Sequence, residues 1–315
     1  LSVGSADRKK TGTSLTGRVV AAYGRHFEVE VTGGAVYSCV VRGKKKGVVC
    51  GDEVEILPAT GDQGIIETTL PRTSLFYRSE IFREKLIAAN VTQLVFVLAV
   101  VPSCNLELLD RCLIAAESQG IRSLILLNKI DLIGQDEHRQ AVAHHLMFYR
   151  ELGYPVLEIS AKTSVQPFIP LLSGQTSLLA GQSGVGKSTL LNALVPRAQQ
   201  ATAEISDALD SGRHTTTHVR LFHFDADSSI IDSPGFQEFG LQQLDEASLA
   251  RGFIEFRPFL GQCKFRDCRH IAEPGCKLLQ AAQEGILNSR RVACYHKLVK
   301  GLKKLHPWME TSKRA

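Results

Sequence analysis

A chain of 315 residues, 44% hydrophobic and with a formal charge of +5, is long enough for two or three domains and a sizeable core. No apolar run reaches the ~20 residues that a membrane-spanning helix needs, and no secretory signal is visible, so a cytoplasmic location is expected. The eight cysteines do not read as a secreted disulfide framework; Cys39, Cys50, Cys104 and Cys112 are expected reduced and inside cores.

The first dozen or so residues are expected to be flexible. Short strand-like runs then alternate with turns: Gly17–Ala22, Phe27–Val31, Val36–Val41 and Gly51–Leu57, with Gly33-Gly34 and Gly43 to Gly47 as turns. Arg8, Lys9, Lys10, Arg18, Arg25, Arg42 and Lys44 to Lys46 crowd this region. Short strands in a basic setting predict an oligonucleotide-binding (OB) barrel over 1–72, with an SH3-like barrel as the alternative. Pro71 to Leu75 reads as a linker.

From 73 to 248 strands and helices alternate. Leu94–Val100 and Ile121–Leu127 read as buried parallel strands. Helices are predicted over Leu106–Gln119 and Asp136–Leu152. Strands Val156–Ile159 and Thr176–Ala180 follow, then a helix from Lys187 to Leu194, then strands Val219–Phe224 and Ser229–Ile231. Such alternation predicts a mainly parallel α/β sheet with ligands at its strand ends.

Asn128-Lys129-Ile130-Asp131 closes the second strand and looks like the guanine-reading N-K-x-D of GTPases. There the aspartate accepts from two N–H groups on one edge of guanine, an edge where adenine presents the wrong pattern. Ser160-Ala161-Lys162 resembles the loop that backs the base. Gly181-Gln182-Ser183-Gly184-Val185-Gly186-Lys187-Ser188, followed by Thr189, matches the P-loop, whose backbone N–H groups close on phosphate oxygens. Lys187 would reach the β- and γ-phosphates and Ser188 would ligate Mg²⁺. Gly212-Arg-His214-Thr215-Thr216-Thr217 looks like switch I, and Asp232-Ser-Pro-Gly235 like the D-x-x-G of switch II. In ordinary GTPases the P-loop comes first. Here it follows the base-reading motifs, so the order is that of a GTPase circle cut at a different point. Compact domains tolerate this because their ends lie close together.

From 249 to 315, Cys263-x₄-Cys268-x-His270-x₅-Cys276 offers three thiolates and an imidazole, enough to close a tetrahedral Zn²⁺ shell. Four soft ligands leave no open position, so a structural site is expected. Metal binding would fold a segment too small for a core. Lys264, Arg266, Arg269 and Lys277 would make this knob positive. Ser289 to Lys304 is predicted helical and basic, with Arg290, Arg291, Lys297, Lys300, Lys303 and Lys304, before Lys313 and Arg314. Two basic ends around a balanced middle favour a polyanionic partner.

With these residues in place, the chain resembles the RsgA (YjeQ, EngC) family of ribosome-small-subunit-dependent GTPases over nearly its whole length. The resemblance implies an α/β fold: a circularly permuted P-loop GTPase domain with an N-terminal OB-fold β-barrel and a C-terminal zinc-binding, mainly helical domain. It also implies GTP hydrolysis to GDP stimulated by the small ribosomal subunit and its rRNA, in late subunit maturation. No membrane partner is expected, and a monomer is.

Phosphoryl transfer needs charge neutralisation and an oriented water. Lys187 and Ser188 supply the first with Mg²⁺, and Asp232 holds the metal from the switch II side through water. Thr217 is expected to sense the γ-phosphate through Mg²⁺, with Thr215 and Thr216 as rivals. Phe236 stands where many GTPases place a water-orienting glutamine, so intrinsic turnover should be slow. His214 is a candidate to supply the missing group; an exposed or ordering histidine is the alternative.

Overall fold

The computed structural model describes residues 13–43, 47–80, 83–132, 137–195, 219–233, 240–241 and 244–305. The expectations for the first dozen residues, for His214 and Thr215 to Thr217, and for Gly235 and Phe236 fall outside them.

Five strands form the barrel: β1 (Leu15–Tyr23), β2 (His26–Val31), β3 (Val36–Val41), β4 (Glu53–Pro58) and β5 (Gln63–Thr69). They pair in the order β1-β2-β3-β5-β4 and close through β1–β4, with only β3–β5 parallel. That pairing is the OB arrangement rather than the SH3-like alternative. Alternating inward residues, Val19, Phe27, Val29, Val31, Cys39, Val54, Ile56 and Ile66, fill it. The sequence reading missed β5. Its Gly64 lies where any Cβ would come 2.8 Å from Cys39 Sγ, so the strand gives up an apolar residue to a close approach.

A hairpin follows, β6 (Leu75–Glu80) and β7 (Arg83–Ala89). It corrects the linker reading at Leu75. Asp52, fully buried, grips Arg72 through both carboxylate oxygens at 2.6 and 2.8 Å and fixes the exit from the barrel.

Next come β8 (Gln93–Ala99), β9 (Arg122–Asn128), β10 (Val156–Glu158), β11 (Thr176–Ala180), β12 (Val219–His223) and β13 (Ser229–Asp232). Their order in the sheet is β10-β9-β8-β11-β13-β12, parallel except for β12. Every residue of β8 is buried because both sheet faces are covered. Leu94, Phe96 and Leu98 pack under the helices Leu106–Ser118 and Glu137–Glu151, while Val95, Val97 and Ala99 pack toward the helix Lys187–Leu194. The expected helices and strands of this region stand within about two residues of their predicted ends, the usual spread of boundary assignment.

β12 also pairs antiparallel with β1 at Ala21↔Arg220 and Ala22↔Val219, so barrel and sheet are one continuous ladder. Arg220 adds an ion pair with Glu28 at 3.2 Å and a hydrogen bond to the Tyr23 hydroxyl at 3.0 Å.

The C-terminal part is mainly helical: Glu246–Gly252, a 3₁₀ turn Ile254–Phe259, Lys277–Gln283 and Ser289–Leu305. It shares the core of the Leu106–Ser118 side of the sheet. No helix of the described residues is long and apolar enough to cross a membrane.

Two sequence expectations need correction here. Cys39, Cys50 and Cys112 are buried, but Cys104 is only half-buried, in the loop after β8. The basic clusters are also less free than their sequence suggests. Arg291 is fully buried, Arg290 and Lys297 are paired with Asp110 and Glu107, Arg42 with Glu67, and Arg18 donates to Thr176. Carboxylates distant in sequence claim four of these five cations, and a threonine hydroxyl takes Arg18.

Candidate functional site

Parallel strands carry their ligands at their C-terminal ends. Asn128 ends β9, Ser160 follows β10, the P-loop follows β11, and Asp232 ends β13, so four motifs scattered over more than a hundred residues meet on one edge. Asn128, 2% exposed, joins three of them. Its Nδ2 donates to Val185 O of the P-loop at 3.0 Å, and its Oδ1 accepts from Ala161 N at 2.9 Å. Lys129, with φ of 62°, sends its ammonium across the P-loop to Gly184 O at 2.5 Å and Val101 O at 2.9 Å. Asp131 is free of these contacts and exposed in the 3₁₀ turn Ile130–Leu132; Lys162 is exposed as well. A carboxylate so placed can accept from two adjacent N–H groups of a base.

The P-loop has its characteristic backbone. Gly181, Gly184 and Gly186 have φ of 142°, 78° and 94°. A Cβ at Gly181 would sit 2.3 Å from Val97 O, and one at Gly186 would sit 2.4 Å from Asn128 Nδ2. Gly186 is also the N-cap of the helix Lys187–Leu194, whose free N–H groups face the cradle.

Within the cradle, the Lys187 ammonium donates to Gly181 O and Gln182 O, both at 2.7 Å. Burial lowers its pKa, while Asp232 pulls the other way. Burial raises the pKa of Asp232, with Lys187 opposing, and its buried Oδ1 has no partner among the described residues. Ser188 and Thr189 are exposed at the helix start. An orphaned buried carboxylate oxygen and a hydroxyl on one strand-end edge are a donor set that fits Mg²⁺. The Gln182 side chain turns outward to accept from Asn105 N at 3.2 Å, leaving its backbone to the cradle.

The metal-ligand quartet also comes together. The ligand atoms of Cys263, Cys268, His270 and Cys276 all lie within 4.8 Å of one another. Cys263 Sγ is 3.8 Å from Cys276 Sγ, and His270 Nδ1 is 3.5, 3.6 and 3.3 Å from the sulfurs of Cys263, Cys268 and Cys276. Zn–S bonds of about 2.3 Å in a tetrahedron put sulfurs about 3.8 Å apart, so the quartet fits Zn²⁺. Cys276 caps the helix Lys277–Gln283, and the N–H groups of Lys277 and Leu279 point at Cys263 and Cys276 sulfur at 3.4 and 3.5 Å, which favours thiolates. Burial pushes the Cys268 thiol up to about 12 and lowers His270, so a bound metal must displace thiol protons.

Sequence reasoning missed what shapes this loop. Glu273 accepts from the N–H groups of Arg269, Ile271 and Ala272 at 3.1, 2.9 and 3.1 Å; burial would raise its pKa, but these bonds hold it down to about 2. Tyr295 and His296 then dock the loop on the last helix through the carbonyls of Arg269 and His270, at 2.9 and 2.8 Å. No local pattern announces a glutamate that folds backbone. Arg269, read as surface charge, is instead bound bidentately by Glu246.

Comparison with known proteins agrees with this geometry. The family model described as RsgA GTPase matches residues 69–242. A relative from Nitrosomonas europaea, named small ribosomal subunit biogenesis GTPase RsgA, is 95% identical over the full length of both chains. One of the same name from Nitrosospira multiformis is 53% identical over 93% of this chain and 92% of its own. Among solved structures, YjeQ from Thermotoga maritima is 30% identical, with a TM-score of 0.70 over 92% of this chain and 99% of its own. YloQ, described as a circularly permuted GTPase, is 29% identical with a TM-score of 0.70, over 96% and 99%. Motif order, sheet topology and sequence thus converge, and the chain belongs to the RsgA GTPase family as a circularly permuted P-loop GTPase with an N-terminal barrel.

Proposed function

We propose that this protein binds GTP with Mg²⁺ and hydrolyses it to GDP and phosphate in response to the small ribosomal subunit, as a cytoplasmic monomer acting in late subunit maturation. The observation that carries the nucleotide half is Asn128, whose amide locks the base-reading run to the P-loop and to the base-backing loop. The subunit half is supported by the names of its relatives. We read the chain as three units, 1–72, 73–248 and 249–315.

In this reading Asp131 selects guanine, while Ser160, Ala161 and Lys162 back it. The backbone N–H groups of Gly181 to Thr189 and the Lys187 ammonium neutralise charge as it shifts between phosphate oxygens. Ser188 and Asp232 would hold Mg²⁺, which would supply charge neutralisation at the phosphates; Thr217 and Gly235 would complete the sensor of the γ-phosphate. His214 orients water where Phe236 cannot.

If the switches close only on the γ-phosphate, a non-hydrolysable GTP analogue tightens binding to purified small subunits relative to GDP. By linkage the subunit raises affinity for the analogue by the same factor. Sedimentation binding in the two nucleotide states checks this; identical subunit affinities would leave a constitutive RNA-binding protein whose hydrolysis is incidental.

The quartet is proposed to hold one structural Zn²⁺. Protein purified without chelator is expected to contain one zinc per chain, and Cys268→Ser to lose it. The knob should then become protease-sensitive while nucleotide affinity stays near the parent's, because the binding energy of such a metal is folding energy. Zinc-free parent protein, measured by mass spectrometry, would refute the assignment.

A further inference from the structure

Phe265 is the only aromatic among the exposed large hydrophobic residues of the described chain, at 42% exposure. It stands at the tip of the metal loop, where Lys264, Phe265, Arg266 and Asp267 are all exposed. The Lys264 ammonium lies over its ring, 5.5 Å from the centroid. Among the described residues, neither Lys264 nor Arg266 forms an ion pair, in contrast to Arg269.

The tip is also held rigid. Cys263 and Cys268 anchor both of its ends at the metal quartet. Lys264 N donates to Gly275 O at 3.2 Å, and Cys268 N to Phe265 O at 3.4 Å. Gly275, with φ of 73°, lets the two strands of the loop approach so closely that a Cβ there would sit 3.0 Å from Lys264 Cβ. A ring presented on a fixed loop loses little conformational freedom when something stacks on it.

We propose that the Lys264-Phe265-Arg266 tip is a stacking platform for an unpaired base of single-stranded RNA. Phe265 receives the base, and Lys264 and Arg266 take the flanking phosphates. A solvent-exposed aromatic ring flanked by cations is the arrangement that binds unstacked nucleotides without reading their sequence. Asp267 limits the net charge of the tip, so stacking rather than charge carries most of the contact. The inference rests on the proposed reading of this chain as a protein that acts on the small ribosomal subunit, whose rRNA would supply unpaired bases.

The test uses the full-length, zinc-loaded protein and fluorescence anisotropy with a labelled uridine octamer and an RNA duplex of equal length. Phe265→Ala is expected to weaken octamer binding roughly 10-fold, within the range of one lost base stack. Phe265→Trp should restore it, and duplex binding should not change. The salt dependence should keep its slope in Phe265→Ala, whereas Lys264→Ala should reduce it by about 0.7. Zinc content and RNA-free GTP turnover should match the parent in each variant; if Phe265→Ala loses zinc, Phe265→Leu, which keeps the apolar bulk, replaces it in the comparison. No measurable octamer binding by the parent, or equal binding by the parent and the non-aromatic variant, would overturn the proposal. So would small-subunit binding that depends on Phe265 while octamer binding does not, since the tip would then meet a protein. Octamer binding that depends on Phe265 in a protein that ignores small subunits would retain the platform and reject the ribosomal function.

Discussion

Gly186→Ala is expected to lower guanine-nucleotide affinity roughly a hundredfold or more, the sum of about 1–2 kcal/mol for a left-handed alanine and about 1–3 kcal/mol for each broken buried hydrogen bond. The new methyl would sit 2.4 Å from Asn128 Nδ2, and the backbone there has φ of 94°. Asn128 cannot yield without releasing Val185 O and Ala161 N, which are its two partners. One methyl therefore disturbs phosphate cradle and base site together. Titration with a fluorescent GDP analogue reads the loss. Zinc content should be unchanged, because the metal quartet lies on a different part of the chain. Parental affinity in this variant would mean that the P-loop and the base-reading run are not coupled through Asn128.

Arg291→Ala is expected to destabilise the protein by about 3–5 kcal/mol, the usual effect of removing one partner from a buried ion pair. Arg291 is fully buried; its guanidinium meets Asp110 Oδ1 at 2.7 Å and Glu255 at 2.6 and 3.0 Å, and lies 4.5 Å from the Phe253 ring centroid. Asp110 also takes Arg290 at 2.6 Å and the Tyr149 hydroxyl at 2.5 Å. Burial works against the charge on Arg291, but Asp110 and Glu255 outweigh it and raise its pKa. Without Arg291, Glu255 is left buried without this counter-charge, and Asp110 keeps Arg290 and the Tyr149 hydroxyl. The network ties the helices Leu106–Ser118 and Glu137–Glu151 to the C-terminal helices, so a drop in melting temperature on the order of 10 °C should accompany early exposure of the C-terminal part to protease. Arg291→Lys keeps the charge but not the fork and should lose less. A melting temperature within a degree or two of the parent's would show that this clasp contributes little.

These two cases mark what the sequence makes legible. Phosphate cradles, base-reading runs and metal loops put their chemistry within a few adjacent residues, so Asn128 to Asp131, Gly181 to Ser188 and the Cys263 to Cys276 quartet are readable before any fold is known. β8 is readable because burial on both faces leaves an unbroken apolar run. Arg291 is not, because its partner Asp110 lies 181 residues away and its neighbours Ser289 and Arg290 make the helix look solvated. β5 hides because its packing depends on the absence of a side chain at Gly64. The hairpin β6–β7 hides in the charged runs Arg-Ser-Glu and Arg-Glu-Lys, which look like loop. Contacts made across the fold, and strands defined by what they omit, leave no local pattern.

The most direct test of the account is turnover of GTP and of XTP, with and without purified small ribosomal subunits, by the parent and by Asp131→Asn. Exchanging the carboxylate for an amide should move the base preference from guanine to xanthine, which keeps the ring N–H but has a carbonyl acceptor where guanine has its amino donor, so that an amide N–H can meet it. The account predicts slow GTP turnover by the parent that rises with subunits, and a variant that turns over XTP but not GTP with the same stimulation. GTP turnover by the parent that small subunits leave unchanged, or a variant that still prefers GTP, would contradict it.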